Sequence, residues 1–149
     1  GEALRATGIP SFAPELLQTV RAGDPMKAKH LEKALMQFAE EGAAKVFRPA
    51  IGSGFIVGVV GALQFDVLAS RIEIEYGLPV RFEPTQFTSA RWVAGPRPEI
   101  DRLTAANKGH IATDHDGDTV FLTRLQWDID RVLRDYPDLR LTATKEMMA

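Results

Sequence analysis

The amino-acid sequence predicts a mixed α/β (α+β) protein in which one order of elements, β-α-β-β-α-β, occurs twice. Three observations carry this: two stretches of helical apolar spacing in each half, a glycine-containing turn between two short apolar runs in each half, and a proline-bounded break near residues 84–89.

The first element is a strand within Phe12–Arg21, entered after Pro10 and Pro14. Asp24-Pro25 then supplies an N-cap oxygen and a proline at the first helical position, where its missing N–H costs nothing. Ala28, Leu31, Leu35, Phe38 and Ala39 give the first helix its apolar stripe, and Gly42 is expected to cap it in the left-handed conformation. Lys45–Ala50 and Phe55–Val60 read as short strands joined by Ile51-Gly52-Ser53-Gly54, a hairpin turn. A second helix follows, with Leu63, Phe65, Leu68, Ala69, Ile72 and Tyr76 assigned to one side and Gly77 to its end. Val80–Glu83 closes the unit as a strand between prolines. This order is the ferredoxin-like plan, two helices covering one face of a four-stranded antiparallel sheet, and that face is the expected core.

The second unit starts with a strand at Ala90–Ala94 and a connector, Gly95-Pro96-Arg97-Pro98. Ile100, Leu103 and Ala106 mark its first helix, with Gly109 as the expected stop. Ile111–Thr113 and Val120–Thr123 flank His115-Asp116-Gly117-Asp118, and Asp-Gly is a strong hairpin signal. Leu125, Ile129, Val132, Leu133 and Tyr136 fall at helical spacing, Pro137 ends that helix, and Leu139–Thr142 is a last strand. The expected organisation is a connector at 1–9, one α/β subdomain at 10–86, a second at 87–145, and a frayed tail at 146–149.

Composition narrows the function. The chain has 149 residues, no cysteine and a formal charge of −2. Disulfides and thiolate metal sites are excluded, and a free-standing nucleic-acid binder would be clearly basic. A glycine at position 1 and a connector-like start lead us to expect further sequence upstream. No apolar run approaches the roughly 20 residues of a membrane span, so a cytoplasmic protein is expected.

Catalytic signatures are missing. There is no G-x-x-x-x-G-K-[ST] loop, no G-x-G-x-x-G after a strand, no H-E-x-x-H and no G-x-S-x-G elbow. Gly52-Ser53-Gly54 opens no helix and reads as a hairpin rather than a phosphate cradle. Asp114-His115-Asp116-Gly117-Asp118 has suitable ligand types, yet the sixth position is Thr119 and the twelfth Leu125, which fails the calcium-loop pattern; the expectation is a solvated turn. His30 reads as exposed. Thus no catalytic, cofactor-binding or metal-binding residue is assigned.

Lys27, Lys29 and Lys33, with Arg71 on the second helix, carry charges suited to phosphate contacts, which position a protein without reading sequence. Glu32, Glu40 and Glu41 balance them, and a solvated face is the competing reading. Trp92 reads as core, whereas Trp127 falls off its helix's apolar stripe and is a surface anchor candidate.

Several segments taken together resemble one family. They are Gly8-Ile9-Pro10-Ser11-Phe12-Ala13-Pro14-Glu15, Asp24-Pro25-Met26-Lys27-Ala28-Lys29, Glu40-Glu41-Gly42-Ala43, Val46-Phe47-Arg48-Pro49, Gly61-Ala62-Leu63-Gln64-Phe65-Asp66-Val67, Thr88-Ser89-Ala90-Arg91-Trp92-Val93 and Tyr136-Pro137-Asp138. They look like the C-terminal region of peptide chain release factor 3, the class II bacterial release factors. Residues 10–86 are also similar to the third domain of elongation factor G, around Gly61–Phe65.

The resemblance implies a translational GTPase that speeds recycling of the codon-reading release factors. GTP or GDP and magnesium would sit in a separate N-terminal domain, leaving this region without an active site or cofactor. It implies contact with the small ribosomal subunit, for which Lys27, Lys29, Lys33, Arg71 and Trp127 are the candidate residues, and monomer is the default state. Two rivals stand beside it: a domain of an elongation factor G-like GTPase, and a small-molecule sensor on a ferredoxin-like scaffold. The second unit separates the first rival; a concave site with convergent polar groups would favour the second.

Overall fold

The computed structural model describes residues 13–145. Strand β1 is Leu16–Val20; a 3₁₀ turn at Pro25–Lys27 leads into α1, Ala28–Glu41; β2 is Lys45–Pro49, β3 is Phe55–Val59, α2 is Leu63–Tyr76 and β4 is Glu83–Pro84. The second half runs β5, Ser89–Ala94; α3, Arg97–Ala106; a 3₁₀ turn, Lys108–His110; β6, Ile111–Thr113; β7, Thr119–Thr123; α4, Gln126–Asp135; and β8, Arg140–Thr142. The expected connector, Phe12 and the tail lie outside the described residues.

Local chemistry accounts for most boundaries. Asp24 Oδ1 accepts the Met26 N–H at 2.9 Å, so the capped turn forms as foreseen, although its first residues are 3₁₀ and the α-helix starts at Ala28. Gly42 ends α1 at φ 78°, and Gly77 ends α2 at φ 64°. Helix α3 stops earlier than Gly109, because Asn107 leaves the helical region at φ −135° and its side-chain amide bonds the Leu103 carbonyl at 3.0 Å. Strand β4 has two residues and shares only Glu83 with the expected Val80–Glu83. Its pairing with β1 is limited to Gln18↔Pro84 and Thr19↔Glu83, as suits a proline-bearing edge.

The strands form one sheet of eight, in the order β4-β1-β3-β2-β6-β7-β5-β8, and every pairing is antiparallel. Each half has the ferredoxin-like strand order, and the second is the mirror of the first in sequence along the sheet. They join edge to edge through Arg48↔Thr113 and Pro49↔Ala112, extended by the Ala50 N–H to the Ile111 carbonyl at 2.8 Å.

Three cores result. Under α1 and α2, Leu31, Leu35 and Phe38 pack with Val46, Val57, Leu68 and Ile72. Under α3 and α4, Leu103 and Val132 pack with Val93, Ile111 and Phe121. The third core gathers the opposite faces of both halves: Leu17, Phe47 and Ile56 from the first, Ala90, Trp92, Ala112, Val120 and Leu122 from the second. Phe47 and Trp92 lie three strands apart in the sheet, which is about 14 Å in a flat one. Their ring centroids are 5.7 Å apart, so the sheet folds back until its helix-free faces meet. The two helix layers are therefore outermost, and the expectation of a core on one sheet face is corrected to cores on both. Gly58 belongs to this folding: a Cβ there would stand 2.5 Å from Pro14 Cβ and 3.0 Å from Leu17 Cδ2, so only glycine lets the entry to β1 cross β3.

Candidate functional site

The cationic residues singled out in the sequence are placed on different parts of the molecule. Lys29 and Lys33 stand one turn apart on the outward side of α1 and line a shallow open concavity with Glu32, Met36, Gln37 and Glu40. Neither lysine has an ion-pair partner among the described residues. Lys27 is exposed in the preceding 3₁₀ turn, two residues from Lys29 and hence on another side of the helix axis.

Arg71 is held by the fold. Its guanidinium bonds Glu41 at 2.9 Å and Glu75 at 3.1 Å, and its Cζ lies 4.6 Å from the centre of the Phe38 ring. The hydrogen bonds it donates to Glu41 and Glu75 raise its pKa, and Arg71 in turn draws the Glu41 carboxyl below its usual range. The side chain thus ties α2 to the end of α1, a role the sequence did not reveal because Glu41 is 30 residues away.

Trp127 is 58 % exposed on α4, in the other helix layer, with Arg131 Cζ 5.6 Å from its ring centre. Trp92, read as core, is 1 % exposed. The five candidates therefore do not converge: Lys29 and Lys33 share a face, Lys27 flanks it, Arg71 is occupied, and Trp127 belongs to the second half.

The acidic turn is only partly solvated, contrary to expectation. Asp114 is 8 % exposed. Its carboxylate accepts the Trp92 indole N–H at 2.9 Å and the backbone N–H groups of Asp116 and Asp118, each at 2.9 Å. Lys145 brings its ammonium 3.0 Å from Asp114 and 2.7 Å from Asp118, and bonds Asp116 as well. Burial pushes the Asp114 carboxyl up, but bonds from Trp92, the Asp118 N–H and Lys145 outweigh it and hold it below the ordinary range. Burial likewise lowers Lys145, and its three carboxylates more than reverse that. Asp114, His115 and Asp116 can bring one ligand atom each within 4.8 Å of one another. A lysine ammonium already supplies the positive charge at this turn, which makes it a structural node.

Other polar side chains are also spent on the fold. His110 Nδ1 bonds the Leu122 carbonyl at 2.8 Å while its ring stacks on Phe121 at 5.3 Å. Asp128 receives the N–H groups of Arg124 and Leu125 and caps α4. Leu125, expected on the core stripe of α4, is 65 % exposed at that cap, and Leu133 is also exposed.

One surface was missed. Leu63, assigned to the core side of α2, is 77 % exposed and shares its outward face with Val67 and Ile74. Its two-residue offset from Phe65 placed it there, since residues two apart lie on different faces of a helix. None of the described helices is long and apolar enough to cross a membrane.

In comparison with known families, residues 7–133 fit the family model for Class II release factor RF3, C-terminal domain. The match takes in the first half of the sheet and the second half as far as α4, with β8 beyond it.

Proposed function

Because the chain belongs to the family of class II release factor C-terminal domains, a part of the translation-termination machinery, we propose that it is a ribosome-docking domain. In this reading it serves a translational GTPase that stimulates termination by promoting recycling of the codon-reading release factors. Nucleotide, magnesium and the hydrolytic residues belong to other domains of such a factor, and this domain works in the cytoplasm as a monomer without chemistry of its own. Its direct partner is the small ribosomal subunit, and the codon-reading factors respond through the ribosome.

The observation that carries the reading is the shared core between the two sheet halves, with Phe47 of the first half against Trp92 of the second. A body joined through such a core moves as a unit, so affinity gained at one face is transmitted to the other. A domain that prefers one ribosome state over another shifts the ribosome toward it by the difference in binding free energy. Lys29 and Lys33, exposed and without ion-pair partners among the described residues, are the proposed phosphate contacts.

The test is removal of residues 1–149 from the complete factor, followed by an assay of codon-reading factor release from terminated ribosomes. Stimulation should be lost while intrinsic GTP hydrolysis persists. Undiminished recycling by the truncated factor would sink the proposal.

A further inference from the structure

Helix α2 is apolar on two sides. Phe65, Leu68 and Ile72 point into the first core, as a helix lying on a sheet requires. Leu63, Val67 and Ile74 follow at spacings of four and seven, which places them together on the opposite side. They are 77, 51 and 78 % exposed. Single exposed aliphatic residues are ordinary, but three large ones aligned along one helix form a surface that water covers at a cost. The fold does not use them.

Charges at the borders of the stripe indicate what covers it. Asp66 and Glu73 flank it on one side, both exposed, and neither has an ion-pair partner among the described residues. On the other side the cation is Arg71, already matched by Glu41 and Glu75. Arg81 shares a concavity with Asp66 on the acidic side, yet a phosphate backbone laid here would meet two carboxylates against that one cation, so RNA is a poor occupant. A second copy of this chain would bring the same carboxylates toward each other across a two-fold axis. A protein surface with an apolar ridge bordered by lysine or arginine satisfies both the stripe and its border.

We propose that the outer face of α2 docks such a basic, apolar-ridged protein segment. This rests on the ribosome-docking reading, under which the occupant is a basic ribosomal protein and ribosomal RNA is contacted elsewhere.

The test places p-benzoylphenylalanine at Val67 of this chain and irradiates it with bacterial 70S ribosomes. The expected product is a crosslink to protein. Its yield should fall about tenfold in the pair Leu63→Asp with Ile74→Asp, and comparably in Asp66→Lys with Glu73→Lys. All four side chains are exposed, so thermal unfolding should be unchanged and any loss of crosslinking reports on docking. A crosslink to ribosomal RNA or to a second copy overturns the inference, as does no crosslink from a chain that still co-sediments with ribosomes; either result leaves the ribosome reading standing. If the unsubstituted chain does not co-sediment at all, the ribosome reading fails and this inference fails with it.

Discussion

The Phe47 ring meets Trp92 edge-on, 5.7 Å between centroids and 63° between planes, and this contact joins halves of the chain that each have their own helix layer. Phe47 and Trp92 are 0 and 1 % exposed, so the contact is fully removed from water.

Truncating Phe47 to alanine should cost about 3–5 kcal/mol, the usual range for a buried aromatic. Because Phe47 packs against second-half residues, amide exchange should accelerate in β5 and β7 as well as in β2. Urea unfolding monitored by exchange checks this, and acceleration confined to the first half would contradict the shared core.

Asp114 should tolerate asparagine better than alanine. Asparagine keeps an acceptor for the Trp92 indole N–H, whereas alanine leaves that buried donor without one, a loss of about 1–3 kcal/mol. Comparing the unfolding midpoints of the two variants decides the point, and equal destabilisation would show that the indole bond is not the reason Asp114 is buried.

The Lys145 cluster has a defined pH window. Asp114 is depressed, so its contribution is present above the unfolded aspartate pKa, about 4, and is lost as pH falls through the folded value. Lys145 is raised, so its contribution is complete below the unfolded lysine pKa, about 10, and is lost as pH rises through the folded value. Between those limits the contribution should be level. In Lys145→Met three carboxylates lack their cation, so the variant should be less stable at neutral pH and should close the gap with the parent as pH falls below about 4, through the folded Asp114 value. Parallel stability curves for the two proteins would exclude this account.

Arg71→Ala should lower stability by about 1 kcal/mol, from the partly exposed ion pairs and the contact over Phe38. A docking defect in an Arg71 variant would therefore mix folding with binding, and Lys29 and Lys33 are the cleaner probes. An unchanged melting temperature in Arg71→Ala would remove the clamp assigned to this side chain.

Gly58→Ala is expected to cost about 1–3 kcal/mol by overpacking, since its new methyl would stand 2.5 Å from Pro14 Cβ. Calorimetry on the variant, with Gly61→Ala as an unobstructed control, tests whether the β1 entry crosses β3 as described.

Helix period and cap chemistry made the element order legible. Leu31, Leu35 and Phe38 repeat at three- and four-residue steps, and Asp24-Pro25 and Gly42 bracket them. The same period misplaced Leu63, because α2 is apolar on both sides and no single stripe stands out. The third core was harder to foresee: Phe55-Ile56-Val57-Gly58-Val59 is buried throughout, and such an unbroken apolar run is the pattern of a strand covered on both faces. What lies on its second face depends on how the sheet bends, which no local spacing encodes. The Asp114 node was illegible for a related reason. Its partners Trp92 and Lys145 sit 22 and 31 residues away, and only the fold brings them to one carboxylate. The cationic docking candidates were drawn from charge alone, and charge did not distinguish Lys29 and Lys33, which have no ion-pair partner among the described residues, from Arg71, which the fold already uses.

The most direct test of the ribosome-docking reading is co-sedimentation of this chain with bacterial ribosomes across a salt series, beside Lys29→Glu with Lys33→Glu and a folded protein of similar charge. The account predicts binding above the control that weakens as salt rises and is reduced, with a shallower salt dependence, in the double variant. Binding no greater than the control's, or a double variant that binds as the parent does at every salt concentration, would contradict it.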